Sequence, residues 1–174
     1  MANMSSDNFD DSEKSDQPIE IGRYAWPTAI LDPVAKMRAL AAGLPNAAIG
    51  ETVFDVPFDR LWPFIEDLEK NIPRFEGAVN RLRILDRRGE QIRLEARTPI
   101  GLWIEFDCVL RSGWCIMQSG SGQIGMAAHP ESPTQTRFIH FESSSLLGRL
   151  ARPFFAWNIR QDFRRLRGLL SQPD

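Results

Sequence analysis

Cysteine and histidine are scarce in this sequence, net charge is close to zero, and long apolar runs are missing. Each shortage removes a class of function. Cysteine occurs twice, as Cys108 and Cys115, with no CxxC pair and no histidine at metal-ligand spacing. Neither a metal site nor a cofactor is expected from such spacing. The net charge of −2 is unevenly spread: residues 1–20 hold Asp7, Asp10, Asp11, Glu13, Asp16 and Glu20 against Lys14, leaving the rest at +3. So small a positive excess is no footprint for a phosphate backbone, and nucleic acid is not an expected partner. No window approaches the roughly 20 apolar residues of a membrane span, and no apolar leader opens the chain, so a cytoplasmic protein is expected.

What is present is a globular balance, with 43% apolar and 25% charged residues in 174. A chain of this length can bury about 70% of its unfolded surface, enough for one self-sufficient domain. Residues 1–17 are polar and acidic, too poor in apolar groups to repay ordering, and read as a disordered tail. Residues 18–49 read as an N-terminal arm followed by a short helix. Asp32 caps that helix, Pro33 takes its first position, and Val34, Met37, Leu40, Ala41 and Leu44 share a face. The main domain is expected over residues 50–171.

Within it, 51–56 reads as a strand ended by Pro57, with Asp59 placed to cap a helix carrying Leu61, Trp62, Ile65 and Leu68. Ile72-Pro73 interrupts that run and suggests two short helices. Strands follow at 79–86, 91–97, 102–111, 114–119, about 123–128 and 134–143. Ser112-Gly113 is a two-residue turn that pairs Arg111 with Trp114, hence Leu110 with Cys115 and Cys108 with Met117. The cysteines then share a face diagonally, about 7–8 Å apart and beyond easy disulfide reach. A helix from about 147 to 170 closes the chain. Its stripe is Phe155, Ile159, Phe163, Leu166 and Leu170, widened by Phe154 and Trp157, with six arginines against Asp162 alone.

Two segments carry a family resemblance. The first is ETVFDVPFDRLWPFIEDLEKNIPRF at 51–75: an opening strand, a proline, a helix with a central tryptophan, and a Pro-hydrophobe after it. The second is TRFIHFE at 136–142, followed by the long helix. Together they resemble the START-like (SRPBCC) superfamily, with its polyketide cyclase/dehydrase and lipid-transport members, over roughly residues 50–170. The resemblance implies an α+β helix-grip fold: a curved antiparallel β-sheet wrapped around a long C-terminal α-helix, with two short helices after the first strand. It also implies an apolar cavity between sheet and helix that takes a hydrophobic small molecule, lipid or polyketide-like.

On that reading the cavity face carries Phe106, Cys108, Met117, Met126 and Phe138, with Phe154 and Trp157 from the helix. Any of them could equally fill an ordinary core. The thioethers suit an adaptable pocket. His140 and Glu142 lie two apart on the last strand and so share a face. Facing inward they form an acid–base pair, Glu142 orienting the imidazole, as a cyclase-like enzyme would need. Facing outward they are solvated, and the apolar pattern puts Ile139 and Phe141 inside instead. His129, beside Pro130, reads as a surface residue. The arginine-rich helix admits contact with an anionic membrane, but its apolar side is already needed by the sheet. Binding or transport is therefore the reading favoured, with a cyclase/dehydrase-like enzyme and a membrane-surface or protein-interaction module as alternatives.

Overall fold

Alternating apolar and polar residues, broken by glycine-containing turns, build a seven-stranded antiparallel sheet in the computed structural model of the chain. The structure describes residues 30–145 and 148–172. By its contacts the chain divides into Met1–Ile30 and Leu31–Asp174, and the second unit is the one described. The acidic tail at 1–17 and the arm up to residue 29 lie outside the described residues.

The elements run α1 (Pro33–Gly43), β1 (Ala48–Phe54), α2 (Phe58–Glu66), α3 (Leu68–Phe75), β2 (Arg81–Arg88), β3 (Gln91–Arg97), β4 (Trp103–Arg111), β5 (Trp114–Gln118), β6 (Gly122–Ser132), β7 (Gln135–Ser144) and α4 (Gly148–Leu170). Strands β2 to β7 form a meander, and β1 pairs with β7, giving the order β1-β7-β6-β5-β4-β3-β2. This is the expected α+β helix-grip arrangement. The register set by Ser112-Gly113 is also as expected: Arg111 pairs with Trp114, Leu110 with Cys115 and Cys108 with Met117. The two thiols are free and buried, with Sγ atoms 3.9 Å apart.

Local details differ where capping competes with tertiary packing. Pro57, not Asp59, precedes the first turn of α2, and Asp59 lies inside that turn. The break between α2 and α3 falls at Asp67, whose ψ of 72° leaves the helical region, while Pro73 sits within α3. Trp62 and Ile65 from α2, with Leu68, Ile72 and Phe75 from α3, bury completely against the concave side of the sheet. Helix α4 lies on the same side, sending Ile159, Phe163, Leu166 and Leu170 into that core. No described helix is long and apolar enough to cross a membrane.

A second, smaller core sits on the opposite face. Helix α1 starts as its sequence dictates, with Asp32 accepting from the Ala35 N–H at 2.8 Å and Pro33 at the first position. Its Val34, Met37 and Ala41 pack on Ala127, Ile139 and Phe141. Gly125 makes this seat possible, since a Cβ there would collide with the Phe141 ring and stand 2.7 Å from the Met37 sulfur. Strand β7 is thus covered on both faces. Ile139 and Phe141 are buried beneath α1, and Phe138, His140 and Glu142 are buried on the concave side.

Candidate functional site

Antiparallel pairing fixes where the concave-side residues of β7 stand. His140 lies opposite Gly50 of β1 and Met126 of β6, and Glu142 lies opposite Ala48 and Ile124. Alternation alone puts Ile139 and Phe141 inside and His140 in solvent, and α1 corrects that expectation. Both apolar residues are buried, but under that helix, and the imidazole is 0% exposed on the inner side.

Helix α4 and the end of α3 complete the surroundings. Asn158 and Asp162, one helical turn apart on α4, are buried at 4% and 0% exposure, and Glu76 at the C-terminus of α3 is buried at 4%. The Asn158 amide donates to Glu76 Oε1 and to Glu142 Oε1, each at 3.0 Å. Asp162 Oδ1 accepts from the Gly77 N–H at 3.0 Å and from Arg165 Nη1 at 3.1 Å. Arg165 also donates to the Phe75 carbonyl at 3.2 Å, so the helix is tied to the α3 end from outside. Gly77 is required by this approach: a Cβ would stand 2.6 Å from Arg165 Nη1 and 2.7 Å from Asn158 Oδ1.

Glu142 is not the group that faces the imidazole. His140 Nε2 is 3.5 Å from Glu76 Oε2, too long and poorly aimed for a hydrogen bond, and neither ring nitrogen has a partner among the described residues. Burial holds the His140 pKa below its ordinary value against the pull of the Glu76 charge, so the ring is neutral near pH 7. Burial, and then the Glu76 charge, push Glu142 up to about 9, with the Asn158 hydrogen bond opposing them. The same two causes push Asp162 up to about 8, against the Gly77 N–H and Arg165. Closely spaced carboxyl groups in a dry site cannot all ionise at once.

Beside this cluster the sheet and α4 part to leave a cavity of about 510 Å³. Ala96, Ile104, Phe106, Ile124 and Phe155 form its apolar wall, and Glu142 is the one ionisable residue among those lining it. A broader depression of about 700 Å³ lies over β3 to β5, but it is lined by Arg93, Glu105, Asp107 and Gln118 on the outer, polar face of the sheet. An apolar molecule would gain little there.

The residues expected to line the cavity divide into three groups. Phe106 does line it. Cys108, Met117, Met126 and Phe138 are buried in the adjoining core and do not reach the cavity wall. Phe138 packs edge-on to Phe54 and Phe163 with ring centroids 5.9 Å from each, filling that end of the fold. Phe154 and Trp157 are the correction: 58% and 49% exposed, they lie on the outward side of α4. Phe155 takes the inward position, and the buried arc widens toward Asn158 and Asp162 instead. His129, expected at the surface, is half-buried within β6.

Neither Glu76 nor Asn158 is a residue the sequence points to, and Asp162 stands out there only as the lone acid among the arginines of the last helix. Asn158 and Asp162 did leave a trace there, as polar residues spaced by four alongside Ile159 and Phe163. Glu76 left none.

The sequence matches no protein-family model and no curated protein. Its fold does match solved structures. A START superfamily protein from Mycobacterium smegmatis superposes with a TM-score of 0.56 at 13% identity, covering 72% of this chain and 97% of the other. The Zhui aromatase/cyclase from Streptomyces sp. R1128 gives 0.55 at 10% identity, covering 71% and 92%. Truncated norcoclaurine synthase from Thalictrum flavum gives 0.54 at 12% identity, covering 74% and 94%. At such identities the likeness is one of fold, and the fold is START-like.

Proposed function

We propose that this START-like domain binds a hydrophobic small molecule, lipid or polyketide-like, between its sheet and α4. The observation that carries the reading is the cavity of about 510 Å³ with an almost wholly apolar wall. It falls within the roughly 300–1,000 Å³ of sites that enclose drug-sized ligands, and it has the usual character of such sites, a mainly apolar surface with a few polar side chains, here Thr98, Ser119, Ser121, Glu142, Ser143 and Ser144. Burying a ligand against Ile104, Phe106, Ile124 and Phe155 supplies affinity at about 25 cal/mol for each Å² of apolar surface removed from water. The Glu142 carboxyl supplies orientation, because only a ligand with a matching polar atom satisfies it.

Native mass spectrometry of protein purified gently from its own host tests the proposal. A discrete adduct that disappears on denaturation, with a mass belonging to a lipid or polyketide, is the expected result. A clean protein mass, together with no uptake from a panel of lipids and aromatic polyketides, would remove the carrier reading.

A second reading has its own observation. Four buried ionisable groups adjoin the cavity, and proton transfer to a bound substrate would pass through Glu142, the member that reaches the wall. In a cyclase-type reaction His140 would act with Glu76, its nearest carboxylate, rather than with Glu142 alone. On that reading His140→Ala abolishes turnover of a cavity ligand and leaves its binding intact. Equal turnover by the variant would refute it.

A further inference from the structure

Glu76, His140, Glu142 and Asp162 come from α3, β7 and α4, and each offers one ligand atom within 4.8 Å of those of the other three. We propose that these four side chains form a binding site for a single divalent cation of the Zn²⁺, Mn²⁺ or Fe²⁺ class. An ion with bonds of about 2.0–2.2 Å spans at most about 4.4 Å between opposite ligands. Closure on it therefore draws the most widely separated atoms in by a few tenths of an ångström where they stand opposite each other, and by roughly 1 Å in a tetrahedral arrangement, whose ligand atoms stand about 3.3–3.6 Å apart. One imidazole with three carboxylates suits borderline and hard divalent ions and disfavours copper(I) or an iron–sulfur cluster, which need thiolates.

Two features separate this cluster from a chance gathering of acids. The first is His140, whose two ring nitrogens are wholly buried and make no hydrogen bond, Nε2 lying 3.5 Å from Glu76 Oε2. Leaving a buried polar atom unpaired costs about 1–3 kcal/mol, so an unpaired imidazole in a core calls for an occupant. The second is how the carboxylates are held. Glu76 is gripped through Oε1 by Asn158, and its Oε2 is unpartnered. Asp162 is gripped through Oδ1 by Gly77 and Arg165, and no outer donor holds its Oδ2. Glu142 is gripped through Oε1 by the same Asn158 amide. Outer donors that fix one oxygen and leave the other free are the usual support of metal-binding carboxylates. Among the described residues, the cation that touches the cluster is Arg165, which reaches Asp162 from a side chain 47% exposed. The site stands on the cluster's geometry, independently of what fills the cavity.

The test uses the full chain, stripped with a chelator and then titrated with Mn²⁺ or Zn²⁺. Calorimetry is expected to show one equivalent bound. The Mn²⁺ form should give a pulsed electron paramagnetic resonance signal from one coordinated imidazole nitrogen. Only two histidines exist, so His129→Gln should keep that signal. His140→Gln and Asp162→Asn should each weaken binding more than about 100-fold, and Asn158→Ala by about 10–100-fold, as loss of an outer partner does. Circular dichroism confirms that each variant is folded. The His129→Gln experiment decides the matter even where a cluster variant does not fold. The site is overturned if neither ion binds with unit stoichiometry, or if folded His140→Gln binds as well as the parent. Mn²⁺ bound without an imidazole signal would mean carboxylates elsewhere, such as the acidic residues 1–20, and would also overturn it. Native mass spectrometry separates this outcome from the ligand proposal, since an ion and an organic adduct differ in mass.

Discussion

The Asp32 carboxylate accepts from the Ala35 N–H at 2.8 Å and closes the first turn of α1. Burial alone would raise its pKa. The Ala35 hydrogen bond and the nearby charges of His129 and Arg137 outweigh that, and the value falls below the ordinary 3.8. A carboxyl depressed in the folded state contributes stability that is complete above its unfolded pKa, and that is lost as pH falls through the folded value. The window here is therefore below about pH 4. Asp32→Ala should cost about 1 kcal/mol at pH 7, as N-cap removal does, with a smaller loss near pH 3. Urea unfolding at the two pH values checks this, and an equal loss at both would mean that the charge plays no part. A second residue-scale expectation concerns Cys108 and Cys115. Cys115 is fully buried, and its hydrogen bond to Cys108 and then burial raise its thiol pKa, so it is almost entirely un-ionised. The thiolate is the reactive form, and Cys108 is itself shielded by burial at 3% exposure, so neither cysteine should be alkylated in the native protein, and both should react once it unfolds. Rapid native labelling would contradict the packing of β4 against β5.

At the scale of elements, α1 decides what β7 means. Without a helix on the outer face, a strand reading Phe138, Ile139, His140, Phe141, Glu142 is ambiguous, because both of its faces carry apolar residues. With α1 present, both faces are buried, and the polar pair is left on the inside. The close approach at Gly125 offers a handle on this docking. Gly125→Ala pushes a methyl into the Phe141 ring and toward the Met37 sulfur. Overpacking of this kind costs about 1–3 kcal/mol. Hydrogen exchange should then accelerate at α1 amides more than in α4, and uniform acceleration would mean that the outer core is not separable from the inner one. This same element explains how far the sequence could be read. The succession of strands β2 to β7, the register at Ser112-Gly113, the cap of α1 and the stripe of α4 are local patterns, visible in alternation, turn residues and helical spacing, whereas the pairing of β1 with β7 is not local. Which side of β7 faces the core is decided by a helix elsewhere in the chain. Phe154 and Trp157 failed as inward residues for a related reason: apolarity marks a stripe, but the inward arc of α4 was widened by Asn158 and Asp162, which apolar spacing ignores. Glu76 comes to His140 only through the turn from α3 to β2, and no local pattern encodes that.

For the whole molecule, the question is whether the space between sheet and α4 is a binding cavity or loose packing. The two differ in how they respond to being filled. A space kept for a ligand lowers the stability of the free protein, because its wall lacks packing partners, and binding restores them. A saturating ligand at 100 times its dissociation constant should therefore stabilise the fold by about 2.7 kcal/mol. Ala96 lines the space from β3 and is 5% exposed, so a larger side chain there grows into the void. Ala96→Phe should leave the stability of the free protein unchanged or raised, and should abolish the stabilisation by ligand. Thermal unfolding of both proteins, with and without a ligand taken from the native mass measurement, makes the comparison. If the phenylalanine destabilises the free protein by about 1–3 kcal/mol, the usual penalty for overpacking, the region is a closed core with no room to give. If the variant still gains the full ligand stabilisation, the molecule binds elsewhere, and the apolar wall of Ile104, Phe106 and Phe155 serves the fold alone.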